Sequence, residues 1–81
     1  MSAMEDREFI IKYMVQKEID RARDILGSAK NTEDGINLII EYVNKIEKGI
    51  TKGADISDIQ EQLIKIAATS IALSVDVCYA S

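Results

Sequence analysis

Apolar residues are densest in the last third of the chain, where residues 63–80 read LIKIAATSIALSVDVCYA. Two stripes run through this stretch at helical spacing: Leu63, Ile66, Ser70, Leu73 and Val77, and Ile64, Ala68, Ile71, Val75 and Cys78. A helix with one apolar stripe covers a core from one side, whereas a helix that is apolar nearly all round has to be enclosed by neighbours. Ala67, Ala68, Ser70, Ala72 and Ser74 are small, which lets partner backbones approach. Lys65 and Asp76 are its only charges, and the uncharged run between them is too short to cross a bilayer, which takes about 20 apolar residues. The pattern predicts a buried helix over residues 57–80, opened by Ser57 as N-cap with Gln60 three residues on.

The two earlier elements are amphipathic. Ile11, Val15, Ile19, Ala22 and Leu26 recur at three- or four-residue steps, with Phe9, Ile10, Tyr13 and Met14 beside them, and this predicts a helix over residues 2–26. Ser2 and Glu5 fit a capping box at its start, and Gly27 is the expected stop. Its second half carries Lys17, Glu18, Asp20, Arg21, Arg23 and Asp24, where Glu18/Arg21 and Asp20/Arg23 are i,i+3 pairs. After a polar connection, Asn31 or Thr32 caps a second helix over residues 32–50, with Glu33 and Asp34 at the positive end of its dipole. Ile36, Ile39, Ile40, Val43, Ile46 and Ile50 form its apolar stripe. Gly35 weakens its first turn slightly, and Gly49 and Gly53 offer alternative ends.

The fold expected is therefore all-α: three helices in a single domain spanning residues 1–81 and assembling into a helical-bundle homo-oligomer. A third helix apolar on every side leaves more surface than two short neighbours can cover, and a second copy, as a dimer or a higher ring, is the expected cover. The absence of proline and the presence of four glycines favour helices of ordinary length, and 47% hydrophobic residues against 30% charged places the chain among globular domains.

Charge and residue types remove several function classes. A net charge of −4 argues against general nucleic-acid binding, although it leaves room for a local basic pocket. With no histidine and one cysteine there is neither a zinc pattern nor a base for a serine or cysteine nucleophile. Cys78, set in the apolar helix, is expected to be a buried, inert thiol. The start MSAMEDREF carries acids where a signal peptide carries a basic region, so a cytoplasmic protein without a membrane partner is expected. Glycines occur singly, so there is no phosphate-cradling loop.

The phrases VQKEIDRARDILGS, GINLIIEYVNKIEKGI and ISDIQEQLIKIAATSIAL together resemble the small MazG-like proteins of bacteria and their phages. Glu18-Ile19-Asp20-Arg21-Ala22 is similar to a first-helix phrase of that family, and the run from Glu61 to Ala68 to a third-helix phrase. The resemblance implies an all-α, oligomeric, nucleotide-binding fold whose active members are magnesium-dependent nucleoside triphosphate pyrophosphohydrolases. Those use two pairs of carboxylates at i,i+3 spacing, which share a helix face and hold hard cations against a triphosphate. Here Glu41 matches one acid, but Tyr42, Asn44 and Lys45 stand where further acids belong. In the third helix Glu61 remains, while Gln62 replaces an acid and Lys65 falls where the active members have Asp or a neutral relative. Glu41, Asp58 and Glu61 are weak metal candidates, too few for two divalent ions, and magnesium is expected only on the enzyme alternative.

What the resemblance then implies is a non-catalytic binder of a nucleotide-derived molecule, of use to a phage for sequestering a nucleotide immune signal. Lys45, Lys48 and Lys65, with Lys17 and Arg21, are the candidate phosphate contacts, and Arg23 is a further cation of the same helix. Tyr13 and Tyr42 are the candidate stacking rings, Asn44 reads a polar edge, and Glu41 lies beside them. Against this stands a plainer reading, in which both tyrosines are core-edge residues and the lysines are solvated. Two other functions remain open: a pyrophosphohydrolase with rearranged acids, and a helical protein-protein interaction module without a small ligand.

Overall fold

A computed structural model describes residues 3–27 and 31–78. It is all-helical among the described residues: α1 spans Ala3–Leu26, α2 Thr32–Lys52 and α3 Ile56–Leu73, and the last helix continues as a π-helical segment over Ser74–Cys78. No helix among the described residues is long and apolar enough to cross a membrane.

Local chemistry sets the helix ends. Gly27 takes a left-handed φ of 58° and its N–H donates to the Arg23 carbonyl at 2.9 Å, which ends α1 where a side chain would be strained. Asn31 is extended, and its Oδ1 accepts from the Asp34 N–H at 2.8 Å while its Nδ2 donates to the Asp34 carboxylate at 3.0 Å. Replacing such a cap by alanine costs about 1 kcal/mol. Urea unfolding of Asn31→Ala should show a loss of that size, and Asn31→Asp, which keeps the acceptor, should recover most of it. Of the two glycines that could end α2, Gly53 does so, with φ 75° and its N–H returned to Gly49 and Ile50. The Ala54 N–H reaches the Gly49 carbonyl at 2.8 Å in the same turn, so α2 runs two residues past the expected stop at Ile50.

The third helix is the middle of the molecule. α1 packs along one flank of α3 and α2 along the other, while α1 and α2 meet chiefly near Leu26 and Leu38. α2 and α3 are antiparallel: Gly35 at the start of α2 lies under Leu73 at the end of α3, and Gly49 lies against Ala54. α1 runs parallel to α3, with Tyr13 and Met14 beside Ser57 and Gln60 at one end and Arg23 beside Asp76 at the other. Ala68 and Ala72 are fully buried, which brings α1 close, and Ala22, Leu26 and Ala72 form the apolar centre with Leu38 packed on it. The Cα atoms span 39 × 35 × 16 Å.

Several expectations are corrected. α3 begins at Ile56 with Asp55 as N-cap, making no side-chain cap bond; the Asp55 carbonyl accepts from Asp58 and Ile59 instead. The turn at Gly53 starts the helix early, so Ser57 falls inside its first turn and is not the cap. The Ser2 box and the connection at residues 28–30 lie outside the described residues, as do residues 79–81 at the expected end of the last helix. The uniform α-helix expected to residue 80 ends at Leu73, where the Ser74 hydroxyl bonds back to the Ser70 carbonyl at 2.8 Å and the helix widens. Cys78 is exposed, not buried, because the widened segment carries it off the packed flank. As expected, α3 is not enclosed by its own chain: two helices cover two flanks, and Leu63 and Ile71, with Val75 just beyond the α-helix, remain about half-exposed.

Candidate functional site

Because α1 and α3 are parallel and α1 starts earlier, their first halves part and leave a groove of about 500 Å³. It is lined by Tyr13, Met14, Lys17 and Glu18 of α1 and by Ser57, Gln60, Glu61 and Ile64 of α3. That volume lies within the ~300–1,000 Å³ usual for small-molecule sites. Glu18 also borders a much smaller hollow further along the same seam, with Arg21, Ile25, Tyr42, Lys65 and Thr69. The two share a wall and form one line of chemistry along α1 and α3.

Cations and rings alternate along it. Lys17 Nζ stands 4.8 Å from the centre of the half-exposed Tyr13 ring. Lys45 and Lys65 stand 5.7 and 5.9 Å from the centre of the Tyr42 ring. These are cation–π distances, and they hold the ammonium groups over aromatic faces instead of leaving them loose in solvent. Two carboxylates act as counter-ions: Glu18 pairs with Arg21 at 3.3 Å, and Glu61 with Lys65 at 3.5 Å. Among the lining residues, Lys17, Arg21 and Lys65 therefore outnumber Glu18 and Glu61, in a chain whose net charge is −4.

Tyr42 is 7% exposed, packed between α1 and α3. Burial pushes its phenol above the ordinary value of 10.0, the carboxylates of Glu41 and Glu18 add to the rise, and the Arg21 guanidinium offsets part of it. Well below pH 10 the phenol is protonated in the folded and unfolded chain alike, and stability is undiminished. Above pH 10 the unfolded chain gives up the proton first, so stability falls until the folded phenol also ionises. Tyr42→Phe should match the parent in the pH dependence of its denaturation midpoint well below pH 10 and lose less than the parent as the pH rises through 10.

The structure brings Tyr13, Lys17, Arg21, Tyr42 and Lys65 together along this seam and places Lys45 at its edge. Glu41 lines a separate hollow with Ile25, Leu26, Asp34, Asn37 and Leu38, and Lys48 lines another with Glu47, Thr51 and Lys52. Asn44 is exposed on α2 and lines none of these hollows. Of the weak metal candidates, Glu61 is tied to Lys65, Glu41 stands in its own hollow and Asp58 lines neither. No group of three carboxylates or thiols suited to a metal ion occurs among the described residues. Arg23 is used structurally: its Nε donates to Asp76 at 2.8 Å, tying α1 to the π-helical segment. Sequence reasoning missed Met14, Glu18, Ser57, Gln60 and Ile64. The steps from 57 to 60, 61 and 64 mark one face of α3, but pairing that face with residues 13–18 requires knowing that α1 and α3 are parallel.

Comparison with protein-family models, curated proteins and solved structures gives no match to this chain.

Proposed function

We propose that this chain is a non-catalytic binder of a nucleotide-derived small molecule, held along the α1–α3 seam. The observation that carries the reading is the alignment of four groups along one seam, Tyr13 and Lys17 on the groove of ligand size and Arg21 and Lys65 on the small hollow that adjoins it at Glu18. Phosphate oxygens displace the carboxylates of Glu18 and Glu61 from Arg21 and Lys65 and take up charge-assisted hydrogen bonds in their place. Stacking falls to Tyr13, whose ring is 55% exposed, because Tyr42 is buried beneath Lys45 and Lys65. Ser57 and Gln60, on the opposite wall, supply neutral donors and acceptors for a base or ribose edge. The MazG-like phrases support a nucleotide as the ligand class, and the separation of Glu41, Asp58 and Glu61 supports binding without turnover. A chain that binds and does not convert lowers the free concentration of its ligand, the property a phage protein needs to sequester a nucleotide signal.

The test is titration calorimetry with nucleoside mono-, di- and triphosphates and cyclic dinucleotides, followed by chromatography of the recovered ligand after incubation with magnesium. Saturable binding of one member, recovered unchanged, is expected. Release of pyrophosphate would replace this reading by the pyrophosphohydrolase, and no binding across the panel would replace it by the interaction module.

A further inference from the structure

Among the described residues, Glu18 alone lines both the groove and the small hollow beyond it. Its side chain is 23% exposed and pairs with Arg21 at 3.3 Å. Glu61, the other acid of the seam, is 60% exposed where it meets Lys65. Phosphate oxygens that take over Arg21 and Lys65 release both carboxylates, with different consequences. Glu61 turns to water. Glu18 stays between two helices, with Met14 one turn before it on α1 and the buried Ile64 across the groove. A carboxylate left there without a donor, next to an anionic ligand, opposes binding. A ligand that fits the seam therefore brings donors to Glu18 as well as phosphates to Arg21.

The position of Glu18 says which part of the ligand carries those donors. At a rise of about 1.5 Å per residue, Glu18 stands about 7.5 Å along α1 from Tyr13, and Arg21 about 12 Å. With the base on Tyr13 and the phosphates between Arg21 and Lys65, the sugar falls at Glu18. An ionised carboxylate is acceptor-only and has two oxygens, and the vicinal hydroxyls of ribose are two adjacent donors that match it. Deoxyribose offers one donor fewer. Acids serve ribose hydroxyls in the same way in dinucleotide-binding folds of unrelated architecture. We infer that the ligand of the seam, taken as the nucleotide proposed above, is a ribonucleotide, and that Glu18 selects it by accepting hydrogen bonds from its 2′- and 3′-hydroxyls. Glu18 then exchanges the guanidinium of Arg21 for the sugar as the phosphates arrive, so the acid that neutralises the unliganded seam becomes its sugar reader.

Titration calorimetry of the full chain and its Glu18→Ala variant, with ATP, GTP, CTP and UTP each set against its 2′-deoxy counterpart, tests this. The parent should bind its tightest ribonucleotide at least about 10-fold more tightly than the deoxy form, the scale of one hydrogen bond to a charged group. In Glu18→Ala the ratio should fall to within about twofold of unity, with the helical circular dichroism retained. Removing the acid also eases the approach of phosphate, but that gain is shared by both members of a pair and cancels in the ratio. Should the alanine variant lose its helix, Glu18→Gln, of the same size with a single uncharged acceptor oxygen, should cut the ratio by about threefold or more. A parent that binds both sugars alike would overturn the inference and leave the nucleotide site standing, as would a ribose preference undiminished in the folded Glu18 variants. If neither sugar binds with any base, the inference falls together with the nucleotide site on which it rests.

Discussion

Gly35→Val should destabilise the chain by about 2–3 kcal/mol. The position is in the first turn of α2, where on propensity alone valine is slightly better than glycine. Packing decides otherwise. A Cβ built on Gly35 lies 2.6 and 2.7 Å from the two terminal carbons of Leu73 and 3.1 Å from its Cγ. Leu73 is itself buried, with Ala72 and Thr69 beside it on α3, so it has little space into which to retreat. Forcing extra methyl groups into a packed site costs about 1–3 kcal/mol, and valine adds two beyond the Cβ. For a domain of this size, with a total stability of about 4–12 kcal/mol, the urea midpoint should fall by a fifth or more. Coupling to Leu73 identifies the cause. Leu73→Ala alone should cost about 2–5 kcal/mol, and the double variant should cost less than the sum by at least about 1 kcal/mol, because the second change makes room for the first. Strict additivity would mean that the strain lies elsewhere.

Lys65→Glu should weaken binding of the tightest nucleotide in the panel by about 100-fold, the scale of one to two lost charge-assisted hydrogen bonds. Lys65 is 23% exposed, held between Glu61 at 3.5 Å and the Tyr42 ring at 5.9 Å. Reversing its charge puts a third carboxylate beside Glu18 and Glu61 on the path of the phosphates. The fold should survive, since the pair that is lost is exposed on the Glu61 side and such pairs contribute at most about 1 kcal/mol. Lys48→Glu makes the same change in net charge in a hollow that the groove does not reach, and it should leave affinity within about twofold at moderate salt. Equal losses in both variants would reduce the effect to general electrostatics and remove Lys65 from the site.

Helix order was legible in the chain because the signals that set it act locally. Apolar spacing identified three helices, and Gly27, Asn31 and Gly53 each end or open a helix through bonds within five residues. Where two local signals competed, sequence alone could not rank them. Ser57 with Gln60 reads as a capping box, yet the Gly53 turn brings Asp55 into the cap position first, and Ser57 becomes part of a groove wall. Gly35 reads as a weak point in a helix, and its actual role, making room for Leu73, depends on a contact 38 positions away in the chain.

The residues along the α1–α3 seam were legible by type and not by arrangement. Tyr13, Lys17, Arg21, Tyr42 and Lys65 were all candidates, but nothing local distinguishes them from Asn44 or Lys48. What separates them is the parallel placement of α1 beside α3, which follows from Ile19, Ala22, Leu26, Ala68 and Ala72 packing together and from the Arg23–Asp76 pair. The same packing turns Tyr42 inward and leaves Tyr13 outward.

Native mass spectrometry of the chain purified gently from cells, followed by heat release of what it carries, is the most direct measurement. A nucleotide-derived molecule in fixed ratio to subunits, released chemically unchanged, is the result expected of a non-catalytic binder. A bare chain that also fails to take up any member of the nucleotide panel would contradict it.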